Sequence, residues 1–127
     1  VTGAVNQHGE VLPVGGLNEK IEGFYRICAL AGLNGEQGVL IPARNQRHLM
    51  LSVEVTQAVA QGRFHVYTAE HVSEGIELLT GHASGLPGTA SGYASDTVLG
   101  RAQDTLQAYR RACHVADHPR PGRRRGR

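Results

Sequence analysis

Lys20 is the single lysine of a chain whose other twelve basic residues are arginines. It closes the stretch Val11-Leu-Pro-Val-Gly-Gly-Leu-Asn-Glu-Lys20, so Gly15 and Gly16 stand just ahead of it, where the periodicity of a helix begins. A helix N-terminus carries partial positive charge and opposes a second positive charge. Burial in an apolar pocket would oppose it as well. Both favour the neutral amine, the form in which a lysine acts as a general base. Glu19 and Glu22 flank it. Glu19 in the first turn suits the helix dipole. Both carboxylates are expected to face solvent, because one held against Lys20 would stabilise its charge and work against that role.

The remaining reactive side chains point to no second centre. Among seven histidines only His114 and His118 have the i, i+4 spacing of a helical metal site, and Pro119 interrupts that region. No metal site is expected. His65, between Phe64 and Val66, should point away from their face. Cys28 and Cys113 match no zinc or redox spacing. Both fall on apolar stripes of expected helices and read as two buried thiols of a reducing compartment.

The elements that must hold Lys20 follow from patterning. Residues 1–6 alternate as a strand, His8-Gly9 makes a tight turn, and Val11 to Val14 return as a second strand that Pro13 marks as an edge or an end. Gly15 and Gly16 let the backbone turn sharply into a helix over 17–31, with Leu17, Ile21, Phe24, Cys28 and Ala31 on its apolar stripe and Gly32 as its stop. Gly23 inside that helix suggests a close backbone contact. Val39 to Pro42 reads as a buried strand. Asn45 is expected to cap a short helical turn reaching Met50, and Ser52 a helix ending at Gly62. Phe64 to Thr68 is a further strand. Ser73 should cap a helix to Thr80, with Ile76 and Leu79 inward. The alternation predicts an α/β (α+β) domain over 1–81, a small mixed sheet with packed helices.

Beyond it, residues 82–95 are Gly- and Ser-rich and read as a flexible linker. Residues 96–113 form an amphipathic helix with Val98, Ala102, Leu106, Tyr109 and Cys113 on one stripe, which needs a partner. Residues 114–127 carry five arginines, Arg120, Arg123, Arg124, Arg125 and Arg127, in a Pro- and Gly-rich tail expected to be disordered.

The length of 127 residues suits one domain, and a net charge of +2 gives no strong field for nucleic acid or membrane. No run has the length of a membrane span. The chain begins at Val1 and its single methionine is Met50, so it reads as part of a longer protein.

The stretch from Thr2 to Lys20, Thr-Gly-Ala-Val-Asn-Gln-His-Gly-Glu-Val-Leu-Pro-Val-Gly-Gly-Leu-Asn-Glu-Lys, resembles the proteolytic domain of Lon proteases. The resemblance continues at Val39-Leu-Ile-Pro-Ala-Arg-Asn-Gln-Arg-His-Leu49 and at Ile76-Glu-Leu-Leu-Thr-Gly81. Its details are more like the bacterial Lon-like branch related to LonB than the housekeeping form. It implies the Lon proteolytic-domain fold with a C-terminal helix added. It also implies a serine endopeptidase in which Lys20 is the base of a Ser-Lys dyad, a variant of the catalytic triad. Thr2 would steady the lysine, and Gly15 and Gly16 would shape the turn before it.

The family's serine precedes the lysine by several dozen residues, whereas here nineteen residues precede Lys20 and none is serine. The chain is therefore expected to carry half a dyad and to be inactive alone. The resemblance further implies peptide or protein substrates, a cytoplasmic hexameric ring, and ATP with magnesium in an upstream or partner module rather than in this chain. Neither a membrane nor nucleic acid is an expected partner. Two alternatives stand beside this reading. One is a non-proteolytic Lon-like assembly or DNA-handling domain of the RadA type, and the other is an inactive fragment.

Overall fold

The computed structural model describes residues 1–85 and 92–116, with side chains as far as Cys113. The linker residues 86–91 and the basic tail from 117 on, with His118 and Pro119, lie outside the described residues. The chain divides into two compact units, Val1–Leu79 and Thr80–Arg127.

The first unit is built from helices and two small sheets, an α+β arrangement. It opens with a hairpin of β1 (Ala4–Val5) and β2 (Val11–Leu12), paired antiparallel with Ala4 opposite Leu12 and Val5 opposite Val11. The turn closes through the Gly9 N–H donating to the Asn6 carbonyl at 3.0 Å, and Gly9 takes φ 81°, where a side chain would be strained. The first strand is shorter than the alternation of residues 1–6 predicts. Thr2 leaves the hairpin, and its N–H donates instead to the Leu40 carbonyl at 3.0 Å.

Helix α1 (Leu17–Ala31) has the predicted bounds, and Gly32 ends it at φ 94° with its N–H on the Ala29 carbonyl. Its buried face is Leu17, Ile21, Tyr25 and Cys28. The expected stripe is thus corrected at two positions. Phe24 is 44% exposed and Ala31 is exposed, while Tyr25 goes inward and packs edge-on against Phe64 with ring centroids 5.3 Å apart. An aromatic edge-to-face contact of this kind adds about 1 kcal/mol beyond the area it buries; Phe24 touches the same ring from its exposed position, with centroids 6.2 Å apart. No atom lies within 4 Å of where a Gly23 side chain would begin, so the expected close contact there is absent.

Strand β3 (Gly38–Pro42) pairs in parallel with β4 (His65–Ala69), Val39 opposite Val66 and Ile41 opposite Thr68. A parallel pair needs a crossover. Here a 3-10 segment (Ala43–His48) and helix α2 (Val53–Ala60) supply it. Val39 and Ile41, with Val55 and Ala58 of α2 and Phe64, complete the core on the inner face of α1. His65 stands on the face opposite Phe64 and Val66, its Nε2 2.7 Å from the Gly35 carbonyl and its ring beside Tyr67.

Helix α3 (Val72–Thr80) begins one residue before Ser73, so Ser73 lies within it. The His71 ring occupies the capping role, with Nδ1 accepting the Ser73 N–H at 3.2 Å. Leu79, expected inward, is 65% exposed.

In the second unit, α4 (Val98–Ala116) is held at its start by the Val98 and Leu99 N–H groups on the Ala83 and Ser84 carbonyls. Leu106 and Tyr109 on its stripe are each about two-thirds exposed, and Cys113 is exposed rather than buried. Cys28 alone of the two thiols is buried.

Candidate functional site

Lys20 sits one turn into α1, where its N–H donates to the Gly16 carbonyl at 3.3 Å and closes the first turn. Gly16 takes φ 65°, the left-handed region, and is the residue that turns the chain into the helix. Gly15 has no positive φ and no atom within 4 Å of the position its side chain would take. The sharp turn expected of both glycines therefore falls on Gly16 alone.

The structure brings Lys20 and Thr2 together. Lys20 Nζ donates to Thr2 Oγ1 at 3.3 Å, across eighteen residues of sequence. The contact exists because the Thr2 backbone is pinned to the Leu40 carbonyl of β3 while Ile21, the residue after Lys20, is fully buried in the core. The pair opens into a cleft of about 360 Å³ lined by Val1, Thr2, Lys20, Ile21, Phe24 and the Gly38-Val39 corner of β3. The Lys20 side chain is exposed rather than buried in an apolar pocket.

The two glutamates part company. Glu19 is exposed, as expected. Glu22 is half-buried and occupied: Oε1 accepts the Ser52 N–H at 2.9 Å, and Oε2 lies 3.8 Å from the Arg26 guanidinium. Its role is structural, fixing the start of α2 to α1. The start of α2 thereby gains a partner that the Ser52 side chain does not supply, since Ser52 makes no side-chain capping bond. Asn18 acts alike, its Oδ1 accepting the Met50 N–H at 3.0 Å.

Asn45 is the residue that sequence reasoning misjudged most. It caps nothing; Pro42 holds the N-terminal position of the 3-10 segment. The buried Asn45 amide accepts the Val14 N–H and donates to the Val14 carbonyl, both at 3.0 Å. Val14 is the last residue before Gly15-Gly16, so this clasp fixes the entry to the helix that carries Lys20. A carboxamide offers a donor and an acceptor side by side, which matches the N–H and carbonyl of Val14, a residue beyond the end of β2. The sequence holds that chemistry at Asn45 but not its partner, 31 residues away.

No described serine lines the cleft. Ser52 belongs to the start of α2, and Ser73 Oγ lies 2.8 Å from His71 Nδ1. No cluster of three or more potential metal ligands occurs among the described residues, and among them no helix is long and apolar enough to cross a membrane.

No family model matches the chain. It is, however, 49% identical over 79 residues to a protein of Escherichia coli K12 and 47% identical over 81 residues to one of Haemophilus influenzae Rd, each described as "Putative Lon protease homolog". The matches cover 62% and 64% of this chain and 14% of each relative. The chain thus spans about one-seventh of the length of these curated relatives. Over nearly two-thirds of its own length it is similar in sequence to these Lon protease homologues.

Proposed function

We propose that this chain is the lysine-bearing part of a Lon-type serine endopeptidase, in which Lys20 is the general base for a serine that is not among these residues. The observation that carries the reading is the Lys20–Thr2 pair, with Nζ and Oγ1 3.3 Å apart at the mouth of a cleft in a Lon-like sequence. In the proposed chemistry the neutral Lys20 amine takes the serine proton as the serine oxygen attacks the peptide carbonyl. The protonated amine then returns the proton to the leaving nitrogen, and water hydrolyses the acyl-enzyme through the same base. Thr2 orients the amine through its hydroxyl, and Gly16 sets the turn that aims it.

The wider reading includes peptide and protein substrates, a hexameric ring in the cytoplasm, and an ATPase module, using ATP with magnesium, elsewhere in the same protein or on a partner. These come from the resemblance alone. They suit a peptidase whose site is best kept away from folded cellular proteins.

The test is hydrolysis of a fluorogenic peptide by the natural protein that contains these residues, wild type beside Lys20→Ala. Turnover that vanishes in the variant, with its folded oligomer retained, is the expected result. Equal turnover in both would remove Lys20 from the dyad. Absence of turnover in both, with ATP supplied, would favour the non-proteolytic assembly role.

A further inference from the structure

We propose that Asn34-Gly35, in the connection between α1 and β3, is a site of spontaneous covalent modification, at which the Asn34 amide is exchanged for a carboxyl group through a cyclic imide. The site lies beyond the end of α1 remote from Lys20 and is independent of the peptidase reading.

The chemistry is an internal acyl transfer followed by hydrolysis. The Gly35 nitrogen gives up its proton and bonds to Asn34 Cγ. The Cγ–Nδ2 bond breaks, and Nδ2 leaves with that proton as ammonia. Water then opens the five-membered imide. Opening at Cγ yields aspartate. Opening at the backbone carbonyl yields isoaspartate, in which the main chain runs through the former side chain. Water has replaced ammonia, and no electrons are transferred.

The loop leaves the reacting atoms ready for this. The Gly35 N–H makes no hydrogen bond among the described residues, so the nitrogen that must lose its proton is not held. Asn34 Nδ2, the leaving group, likewise has no acceptor among them. Asn34 Oδ1 does have a partner: it accepts the Glu36 N–H at 2.9 Å. That Asx turn draws the side-chain carbonyl alongside the Gly35 peptide and polarises the carbon to be attacked. Gly35 takes φ 83° and has no side chain to shield its nitrogen.

The other three asparagines are placed differently, and each precedes a residue with a side chain. Asn6 Oδ1 accepts the His8 and Glu10 N–H groups while its Nδ2 donates to Glu10 Oε2 at 2.7 Å. Asn45 is buried with its amide closed on Val14. Asn18 lies within α1 with its Oδ1 on the Met50 N–H.

The modification has a structural consequence. The Asn34 N–H is held by Gln37 Oε1 at 2.9 Å, and the Gly35 carbonyl by the His65 ring of β4 at 2.7 Å. A carbonyl only accepts, so His65 Nε2 carries the proton of that bond. Isoaspartate inserts one carbon into the main chain between these two anchors. Both cannot then keep their places, and the loop is released from His65.

The experiment incubates the chain in mildly alkaline buffer, native and in urea, with peptide mapping by mass spectrometry and electron-transfer fragmentation to tell isoaspartate from aspartate. The expected result is modification of the native chain at Asn34 and at no other asparagine. Its rate should lie within about tenfold of that in urea, so that the fold adds no more than about 1.4 kcal/mol to the barrier. Asn34→Gln, which moves the amide carbon one methylene away, should abolish the reaction while circular dichroism stays unchanged. Nuclear magnetic resonance of the isoaspartyl form should show loss of the hydrogen-bonded His65 Nε2 proton seen in fresh chain. A native chain that stays unmodified while the unfolded chain reacts would overturn the proposal. So would modification at Asn6, Asn18 or Asn45 at the rate of Asn34, or a His65 proton that is unchanged in the isoaspartyl form.

Discussion

The Asn45 side-chain amide takes up both backbone polar groups of Val14, at 3.0 Å each, and so fixes the chain immediately before the turn into the Lys20 helix. Asn45→Leu should therefore cost about 2–3 kcal/mol, since two backbone groups in a part-buried site lose their partners together. Asn45→Asp keeps the acceptor for the Val14 N–H but turns an oxygen towards the Val14 carbonyl, and should also destabilise. Urea denaturation monitored by circular dichroism reads both, and a midpoint unmoved by Asn45→Leu would dismiss the clasp.

The glycines around α1 should separate into three responses to alanine. Gly16→Ala forces a side chain into φ 65° and should destabilise by about 1–2 kcal/mol. Gly15→Ala meets neither a positive φ nor a neighbour within 4 Å and should be close to neutral. Gly23→Ala, exposed within the helix and free of contacts, should stabilise by about 0.5–1 kcal/mol through helix propensity. Thermal melts of the three variants give the order directly. Destabilisation by Gly23→Ala would reveal a backbone contact at that turn.

Thr2→Val removes the hydroxyl and keeps the shape. If the Thr2 contact orients the Lys20 amine during turnover, losing one hydrogen bond to a charged group costs about 1.5 kcal/mol, or about tenfold in kcat. Thr2→Ser keeps the oxygen and should retain most of the rate. Peptidase kinetics of the natural protein distinguish the two. A pair of variants with the same kcat would assign Thr2 to the strand edge alone.

The thiols should react in two classes. Cys113 is exposed and Cys28 buried. A maleimide reagent should modify Cys113 in the native chain and Cys28 only after denaturant is added, with mass spectrometry of the peptides as the readout. Simultaneous labelling of both in the native chain would show that the face of α1 bearing Cys28 opens readily.

Much of the first unit was legible from local signals. Helix α1 has the bounds its periodicity predicts, because Gly16 and Gly32 are the conformational punctuation that starts and stops it. The parallel strands appear at the apolar runs Val39–Pro42 and Phe64–Thr68, displaced by a residue at one or both ends. The errors fall where two neighbouring residues could equally serve. Phe24 and Tyr25 are both aromatic and both reach the Phe64 ring, and Tyr25 alone is buried with Leu17, Ile21 and Cys28. At α3, Ser73 looked like a cap, but His71, two positions earlier and just ahead of the helix, accepts the Ser73 N–H through its ring.

By itself the sequence determined the resemblance, the lysine and the glycine turn that leads to it, because these depend on residue identity and short spacing. The resemblance also implied Thr2 as a support for that lysine. The tertiary structure alone decided that Thr2 Oγ1 and Lys20 Nζ meet at 3.3 Å, that Lys20 is exposed, and that Glu22 is engaged with Ser52 rather than solvent. It also decided that Asn45 closes on Val14. The three contacts join residues eighteen or more positions apart. Local propensity is blind at that range, because such contacts form only once the core of α1, β3 and α2 has set the distances between backbones.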